Sequence, residues 1–523
     1  MKPRDILTAK DFHESTKLSY INLETKPPLY KDYKQLPSVE LSLDLELPLI
    51  SAVDAISGLN NSFDGNIGIQ TISKLLYYSA GVIKTANHPT AGQVHYRAAA
   101  SAGALYPVET YLLCQDLDGV PAGVYHFAPH EFRLRLIRSG DYRQLLANAT
   151  AGNQHINQSP ATLIFTTLFW RSTWKYRSRG YRYCYWDTGT VIANLLSTAT
   201  ACQISTELVT GFVDSEINDL LSIDGVKESA ACLIPLSGTT PYLPINVSPK
   251  LHPVKPDNEH AHLPSIIYAD LEALHMESSL TTPQEVLEWR TKASYTQPEF
   301  SSSTSLNNPT YNTSKSVAET IINRGSTRRF TNDSIPLDKF LTVINNGVRS
   351  LPTDFSRDKY DQLVDLYVIV NSVENLTSGS YFYSIEKKQL ELLKIGDFRD
   401  ESGHLGFEQA LPADASAVFF FMGNLEDIID RCGSRGYRIA QMESGILGGN
   451  LYLGMHSLGF GSTGLTFYDD DVTKFFSPHA QNKSPLFVVP VGIKHKQNIV
   501  KPFRSKVASR LDALARGAGH RLT

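Results

Sequence analysis

Cysteine is scarce in this chain, with five residues among 523, at positions 114, 184, 202, 232 and 432. No two form a Cys-x-x-Cys pair, and none stands at zinc-ligand spacing from a histidine. That speaks against a zinc site or a disulfide framework, and the expected compartment is a reducing cytoplasm. Long apolar runs are missing as well. The best, at 417–422, has the length of a buried strand, so no membrane span is expected. The opening residues hold no apolar stretch of the export type. Nor is one sign of charge in excess: 49 Lys and Arg against 53 Asp and Glu give a net charge of -4, without the basic surplus of a nucleic-acid binder. What is there, 42% apolar and 20% charged residues, fits a globular enzyme rather than a disordered or fibrous chain. At about 150 residues per domain, two to four domains fit.

The chain repeats itself. Arg179-Gly180-Tyr181-Arg182 recurs as Arg435-Gly436-Tyr437-Arg438, an offset of 256 residues; Gly189 with Gly445, and Asn194-Leu195 with Asn450-Leu451, keep it. Upstream, Gly140-Asp141-Tyr142-Arg143 answers to Gly396-Asp397-Phe398-Arg399, and Gly123-Val124-Tyr125-His126-Phe127 to Gly379-Ser380-Tyr381-Phe382-Tyr383. Gly81-Val82 pairs with Gly347-Val348 at an offset of 266, so the first copy carries ten extra residues, expected around 97–107.

Strand patterns at 112–113, 163–167, 231–236, 366–370, 417–422 and 486–491 interleave with helix patterns at 72–79, 190–200 and 337–345. Two copies of one α+β or α/β domain are therefore expected. Short helices at 265–277 and 283–292 lead into an uncharged Ser/Asn/Thr/Pro linker at 300–314. The organisation read from this is an extension at 1–45, a first domain at 46–262, a connector and linker at 263–313, a second domain at 314–500 and a basic tail at 501–523.

Four stretches carry chemistry. Arg324-Gly325-Ser326-Thr327-Arg328 follows a helix pattern; two guanidinium forks around a hydroxyl can grip a phosphate dianion, or can be a solvated helix face. The matching stretch of the first copy, near Gly58 to Phe63, has no arginine. Ser101-Ala102-Gly103-Ala104-Leu105-Tyr106-Pro107 is a small-residue loop that lets backbone N–H groups approach a flat ligand, or an ordinary tight turn. Lys175-Tyr176 lies in a cationic stretch where a pKa could be shifted for proton transfer, or in a solvated basic loop. The second copy has Arg431-Cys432 there, and Cys432, with no paired histidine in view, reads as a spectator. Finally, Gly459-Phe460-Gly461-Ser462-Thr463-Gly464 matches GxGxxG but follows a helix, so a dinucleotide fingerprint is a poor fit and a glycine loop over a ligand a better one.

Together these pieces resemble the nitroreductase-like FMN proteins, and among them the SagB/ThcOx-type dehydrogenases. The likeness spans nearly the whole chain and is most specific at 101–107, at Lys175-Tyr176 with Arg179-Gly180-Tyr181-Arg182, at 123–127 and at Phe12-His13-Glu14-Ser15-Thr16-Lys17. Ala100 departs from the proline frequent in that family. The resemblance implies two fused α+β domains forming an intramolecular pseudo-dimer, with FMN as cofactor and no metal. Arg324, Ser326 and Arg328 would hold the phosphate, and Arg504 and Lys506 would be the C-terminal basic pair of the FMN site. Gly461, Ser462 and Gly464 would face the ring from one side. Arg97, Ser101, Ala102, Gly103, Leu105 and Tyr183 would line it from the other. Lys175 and Tyr176 would be the catalytic pair.

Each composite site draws on both copies, and only one combination has all its parts. The expectation is therefore one working FMN site per chain and a monomer that acts as a pseudo-dimer. The implied reaction is dehydrogenation of an azoline to an azole, with general-base help of about 10²–10⁴-fold. The substrate would be a small molecule, a peptide or a carrier-bound intermediate, in natural-product biosynthesis with possible partner enzymes. The segment before the first copy reads as too short for a leader-binding domain. Two rivals are an NAD(P)H-dependent nitro or quinone reductase and a degenerate flavin-binding scaffold, the latter disfavoured by the retained Lys175-Tyr176.

Overall fold

The computed structural model describes residues 25–58, 63–88, 92–243, 250–254, 268–294, 315–356 and 361–496. The first copy supplies strands β1 (Ser38–Glu40), β2 (Val82–His88), β3 (Gly92–Arg97), β4 (Val108–Cys114), β5 (Gly123–Ala128), β6 (Arg133–Ser139), β7 (Ala161–Leu168), β8 (Ser205–Thr206) and β9 (Glu228–Ser237). The second supplies β10 (Asp365–Val370), β11 (Gly379–Ser384), β12 (Gln389–Ile395), β13 (Ala417–Gly423), β14 (Gly461–Ser462) and β15 (Ser484–Gly492). One sheet runs β1-β6-β5-β4-β7-β9-β8 and the other β12-β11-β10-β13-β15-β14. Without β1 the two orders are the same, and every pairing is antiparallel. The chain is thus a tandem α+β repeat folded as a pseudo-dimer. Central strands such as β13, buried at all seven positions, read as unbroken apolar runs because both sheet faces are covered.

The extra length of the first copy does not all lie at 97–107. Most of it forms the β2–β3 hairpin, whose mixed polar strands give no clean alternation in sequence. The basic stretch at 179–182 is not a loop either: it opens the helix Gly180–Ala201, whose counterpart is Arg435–Ser457. These two long helices cross at their repeated glycines. A Cβ on Gly189 would stand 2.6 Å from Gly445 Cα, so only glycine lets the two backbones meet there. The cores interlock across this crossing: Met442, Ile446 and Leu453 of the second copy join the core of the first, and Tyr183 and Trp186 of the first join that of the second.

Ion pairs repeat the symmetry. Arg435 and Arg438 reach Asp214 at 2.6 and 2.8 Å, and Arg179 and Arg182 reach Asp469 at 2.8 and 2.5 Å. The difference is burial. The Asp214 side chain is 5% exposed and the Asp469 side chain 32%. Burial pushes the Asp214 carboxyl up, but Arg435 and Arg438 outweigh it and hold it below its ordinary value. Asp214→Asn is expected to cost about 3–5 kcal/mol in urea unfolding, because two buried guanidinium groups lose their counter-charge. Asp469→Asn is expected to cost about 0–1 kcal/mol. Since the folded pKa of Asp214 is the lower one, its contribution is present above the unfolded carboxylate range and lost as pH falls through the folded value.

Candidate active site

The loop after β3 enters the interface through three left-handed residues, Gly103, Ala104 and Tyr106, at φ +65°, +54° and +48°. The helix Phe169–Tyr176 brings Lys175 and Tyr176 onto it: a Cβ on Gly103 would lie 2.7 Å from Tyr176 Oη and 3.2 Å from Lys175 Nζ. That helix is held from behind. Arg171 donates to the carbonyls of Tyr106 (2.9 Å) and Pro28 (2.8 Å) and pairs with Glu109 at 2.5 Å. The Trp174 indole donates to Thr25 Oγ1 at 3.1 Å. The helix stops at Arg177, itself left-handed at φ +53°.

The Tyr176 ring stands edge-on to Tyr183 at 4.5 Å, Tyr183 lies 4.5 Å from Trp186, and Trp186 continues to Phe487 at 5.2 Å. Across the same interface the Trp186 indole donates to Gln441 Oε1 at 2.5 Å. The aromatic run therefore passes from the first copy into the second. Lys175 Nζ sits 5.2 Å from the Tyr176 ring centre, and burial pushes the Tyr176 hydroxyl up to about 12. At neutral pH it carries its proton.

From the second copy comes Arg324, at the end of the helix Val317–Asn323. It is 8% exposed, lies over Tyr452, and donates across the interface to the Ala98 carbonyl at 3.0 Å. Three further basic groups gather near it: Lys84 from the hairpin, His456 from the last turn of the second long helix, and Lys494 just after β15. Lys494 Nζ is 3.1 Å from His456 Nδ1. Burial pushes Lys84 down to about 8, with Arg324 and Lys494 adding to the fall. His456 is held well below its ordinary value by burial and then by Lys494, Arg324 and Lys84. Burial and then Lys315 lower Lys494. Among the described residues no carboxylate pairs with any of the three, so the cluster gathers cationic groups that an anion would relieve.

The surroundings fit a phosphate too. Thr327 Oγ1 and Ser462 Oγ are buried without a hydrogen-bond partner among the described residues. A Cβ on Gly325 would meet nothing within 4 Å. The Thr327 N–H donates to the Ser462 carbonyl at 3.0 Å, tying the arginine–serine segment to the glycine loop. A Cβ on Gly461 would collide with Thr327 Oγ1, and one on Gly464 would lie 2.5 Å from Tyr452 Oη.

The residues read from sequence take different places here. Ser326 and Arg328 are exposed beside the buried Arg324. Ser101 and Ala102 are tied down by Asp187, and Leu105 is buried. Tyr183 points its hydroxyl at Thr466 Oγ1, 3.4 Å away. Arg97 faces inward, between Tyr30 and Tyr106, donating to the carbonyls of Leu29 (2.9 Å) and Val108 (3.3 Å). Arg504, Lys506 and the stretch 12–17 lie outside the described residues. Lys84, His456 and Lys494 were not singled out by sequence.

On the opposite side of the pseudo-dyad the described residues make different contacts. An antiparallel bridge joins Ser51 to Ser316, so the helix Ala52–Ser57 mirrors Val317–Asn323; the shorter helix is capped at its end by Gly58 and the longer one by Arg324. Gly58 is left-handed, and the Arg349 guanidinium occupies the place a side chain there would take. Arg349 donates to the carbonyls of Ile56 (3.0 Å) and Ser350 (3.1 Å), and burial pushes it down to about 10. In place of Lys175-Tyr176, Arg431 forms a two-pronged pair with Asp361 at 2.7 and 2.6 Å. Cys432 is buried, its thiol pushed up to about 11 by that burial, and its carbonyl accepts from Trp289 of the connecting helix Pro283–Ala293 at 2.8 Å.

The model of the nitroreductase family matches this chain twice, over residues 77–238 and 321–493. The chain belongs to the nitroreductase family. Its fold is close to that of a nitroreductase-type protein from Anabaena variabilis, with a TM-score of 0.71 over 93% of this chain and 99% of that one, at 24% identity. The nitroreductase-type protein MJ1384 of Methanocaldococcus jannaschii is 28% identical over 202 residues, 39% of this chain and 94% of that protein. The microcin B17-processing protein McbC of Escherichia coli is 28% identical over 173 residues, 32% of this chain and 61% of that protein. The trifolitoxin-processing protein TfxB of Rhizobium leguminosarum is 29% identical over 169 residues, 31% of this chain and 45% of that protein. Nitroreductase membership makes the chain an oxidoreductase with a flavin-binding fold. No helix among the described residues of this nitroreductase is long and apolar enough to cross a membrane.

Proposed function

We propose that this nitroreductase holds one FMN per chain, in the composite site, and dehydrogenates a heterocycle or peptide-derived intermediate of the azoline-to-azole type. The observation that carries the reading is the meeting, among the described residues on one side of the dyad only, of a cationic pocket with no paired carboxylate from one copy with the small-residue loop and Lys175-Tyr176 of the other. Arg324, Ser326 and Arg328, joined by Lys84 and Lys494 and by Arg504 and Lys506 of the tail, would hold the phosphate. Residues 101–105 and 461–464 would line the ring, with Tyr183 beside them. FMN, when bound, supplies the two-electron acceptor. The task of the chain is to orient the substrate and handle the hydrogen that leaves as a proton, which falls to Lys175 and Tyr176. Likeness to two proteins named for processing microcin B17 and trifolitoxin supports a substrate made in such a processing pathway, peptide-derived in this reading, and biosynthetic partner enzymes.

One observation favours a second reading. The buried Tyr176 phenol keeps its proton at neutral pH and so offers a hydrogen bond to a substrate oxygen rather than a base, which suits the reductive direction, with NAD(P)H reducing a nitro compound or quinone. Anaerobic addition of NADPH separates the two. The dehydrogenase reading expects slow bleaching of the flavin absorbance; bleaching within one mixing time, with nitro-compound turnover, contradicts it.

A further inference from the structure

The cationic groups above gather around space for a ligand, whereas Asp187 is spent on the protein itself. It lies on the helix Gly180–Ala201 one turn beyond Tyr183 and is 4% exposed. No cation pairs with it among the described residues. Its carboxylate accepts from Ser101 Oγ at 2.5 Å and from the Ala102 N–H at 3.0 Å. Ser101 Oγ accepts in turn from the Tyr106 N–H at 2.8 Å, and Thr190, one turn along the helix from Asp187, donates to the Ala100 carbonyl at 2.7 Å. The helix thus fastens the start of the loop, and through Ser101 its far end as well. Left-handed Ala104 and Tyr106 are strained conformations that persist only where the surroundings impose them.

The repeat supplies a second, independent observation. At the shared offset of 256 stands Glu443, equally buried, and its carboxylate accepts from the Leu363 N–H at 3.1 Å at the entry to the second sheet. Each copy therefore keeps one buried acid on its long helix to tie down the segment leading into its sheet. Only in the first copy does that segment support Lys175 and Tyr176.

We propose that Asp187 is a positioning residue: through Ser101 and Ala102 it locks the 101–107 loop in the left-handed turn on which Tyr176 and Lys175 rest. What the loop lines rests on the flavin reading above; the fastening does not. Tyr106 from the loop, Tyr176 from the preceding helix, Cys184 from its own helix and Tyr452 from the second long helix all feel its charge, and Arg97 lines the same small cavity. Burial outweighs the two donors and pushes Asp187 from 3.8 up to about 7. The closed loop therefore binds the proton more tightly than a loop opened to water, so proton uptake favours closure and the hold weakens as pH rises between these values.

Backbone hydrogen exchange at residues 102–106, corrected for intrinsic rates, reads this on the full-length protein whether or not flavin is loaded. Asp187→Ala is expected to speed exchange there about 10-fold or more. Asp187→Asn, which keeps one acceptor and can donate to Ser101, is expected to restore protection and to abolish its pH dependence between 4 and 7. Glu443→Gln should leave these amides unchanged. Wild-type exchange in Asp187→Ala, or a wild-type pH profile in Asp187→Asn, would overturn the proposal, and the second variant serves should the first fail to fold. A loosened loop with unchanged FMN affinity would instead count against the flavin reading while the fastening stood.

Discussion

Arg324→Ala protein is expected to come off the column without its flavin. Arg324 is the buried guanidinium that joins the cationic pocket of the second copy to the Ala98 backbone of the first. One charge-assisted hydrogen bond is worth about 1.5–3 kcal/mol. Its loss alone should weaken FMN binding about 10- to 100-fold, read by quenching of flavin fluorescence on titration. The stability of the flavin-free variant should move far less. Arg324 is one of the charges that depress Lys84 and His456, so its removal relieves repulsion while one carbonyl loses a donor. Weakened FMN binding without a matching loss of stability distinguishes a ligand-holding arginine from a structural one.

The second large effect is on turnover. Tyr176→Phe and Lys175→Met are each expected to lower kcat about 10²–10⁴-fold with flavin still bound. Both groups rest on Gly103, so the substitutions remove proton-handling atoms and leave the fastened loop in place. A fall in kcat and kcat/KM together is the signature of an interaction made in the transition state; a change in KM alone would place the pair in substrate binding. Variants that turn over like wild type would remove both residues from the mechanism.

The pseudo-symmetric architecture is legible in the sequence because the residues that repeat are those the dyad constrains. Gly189 and Gly445 recur since no other residue lets the long helices touch. The arginines of the repeated motif recur since each pair reaches the aspartate of the other copy. The loop and the Lys175-Tyr176 pair are legible as local composition, and the fold brings them together. Lys84, His456 and Lys494 were not, because they meet only when a hairpin, a helix end and a strand end converge. Arg349 leaves no local signal for the same reason: its task is defined by the glycine of the other copy. Asp187 and Glu443 did leave a trace, as the one acid in 183–201 and the one acid in 439–457, at the repeat offset.

The central claim is that two half-sites written in series make one flavin site, with Arg349, Arg431, Asp361 and Trp289 making different contacts on the opposite side. Flavin released from purified, fully reconstituted protein, quantified against protein by amino-acid analysis, tests it directly. One FMN per chain is the predicted result. Two tightly bound FMN per chain, or none after reconstitution, would contradict it.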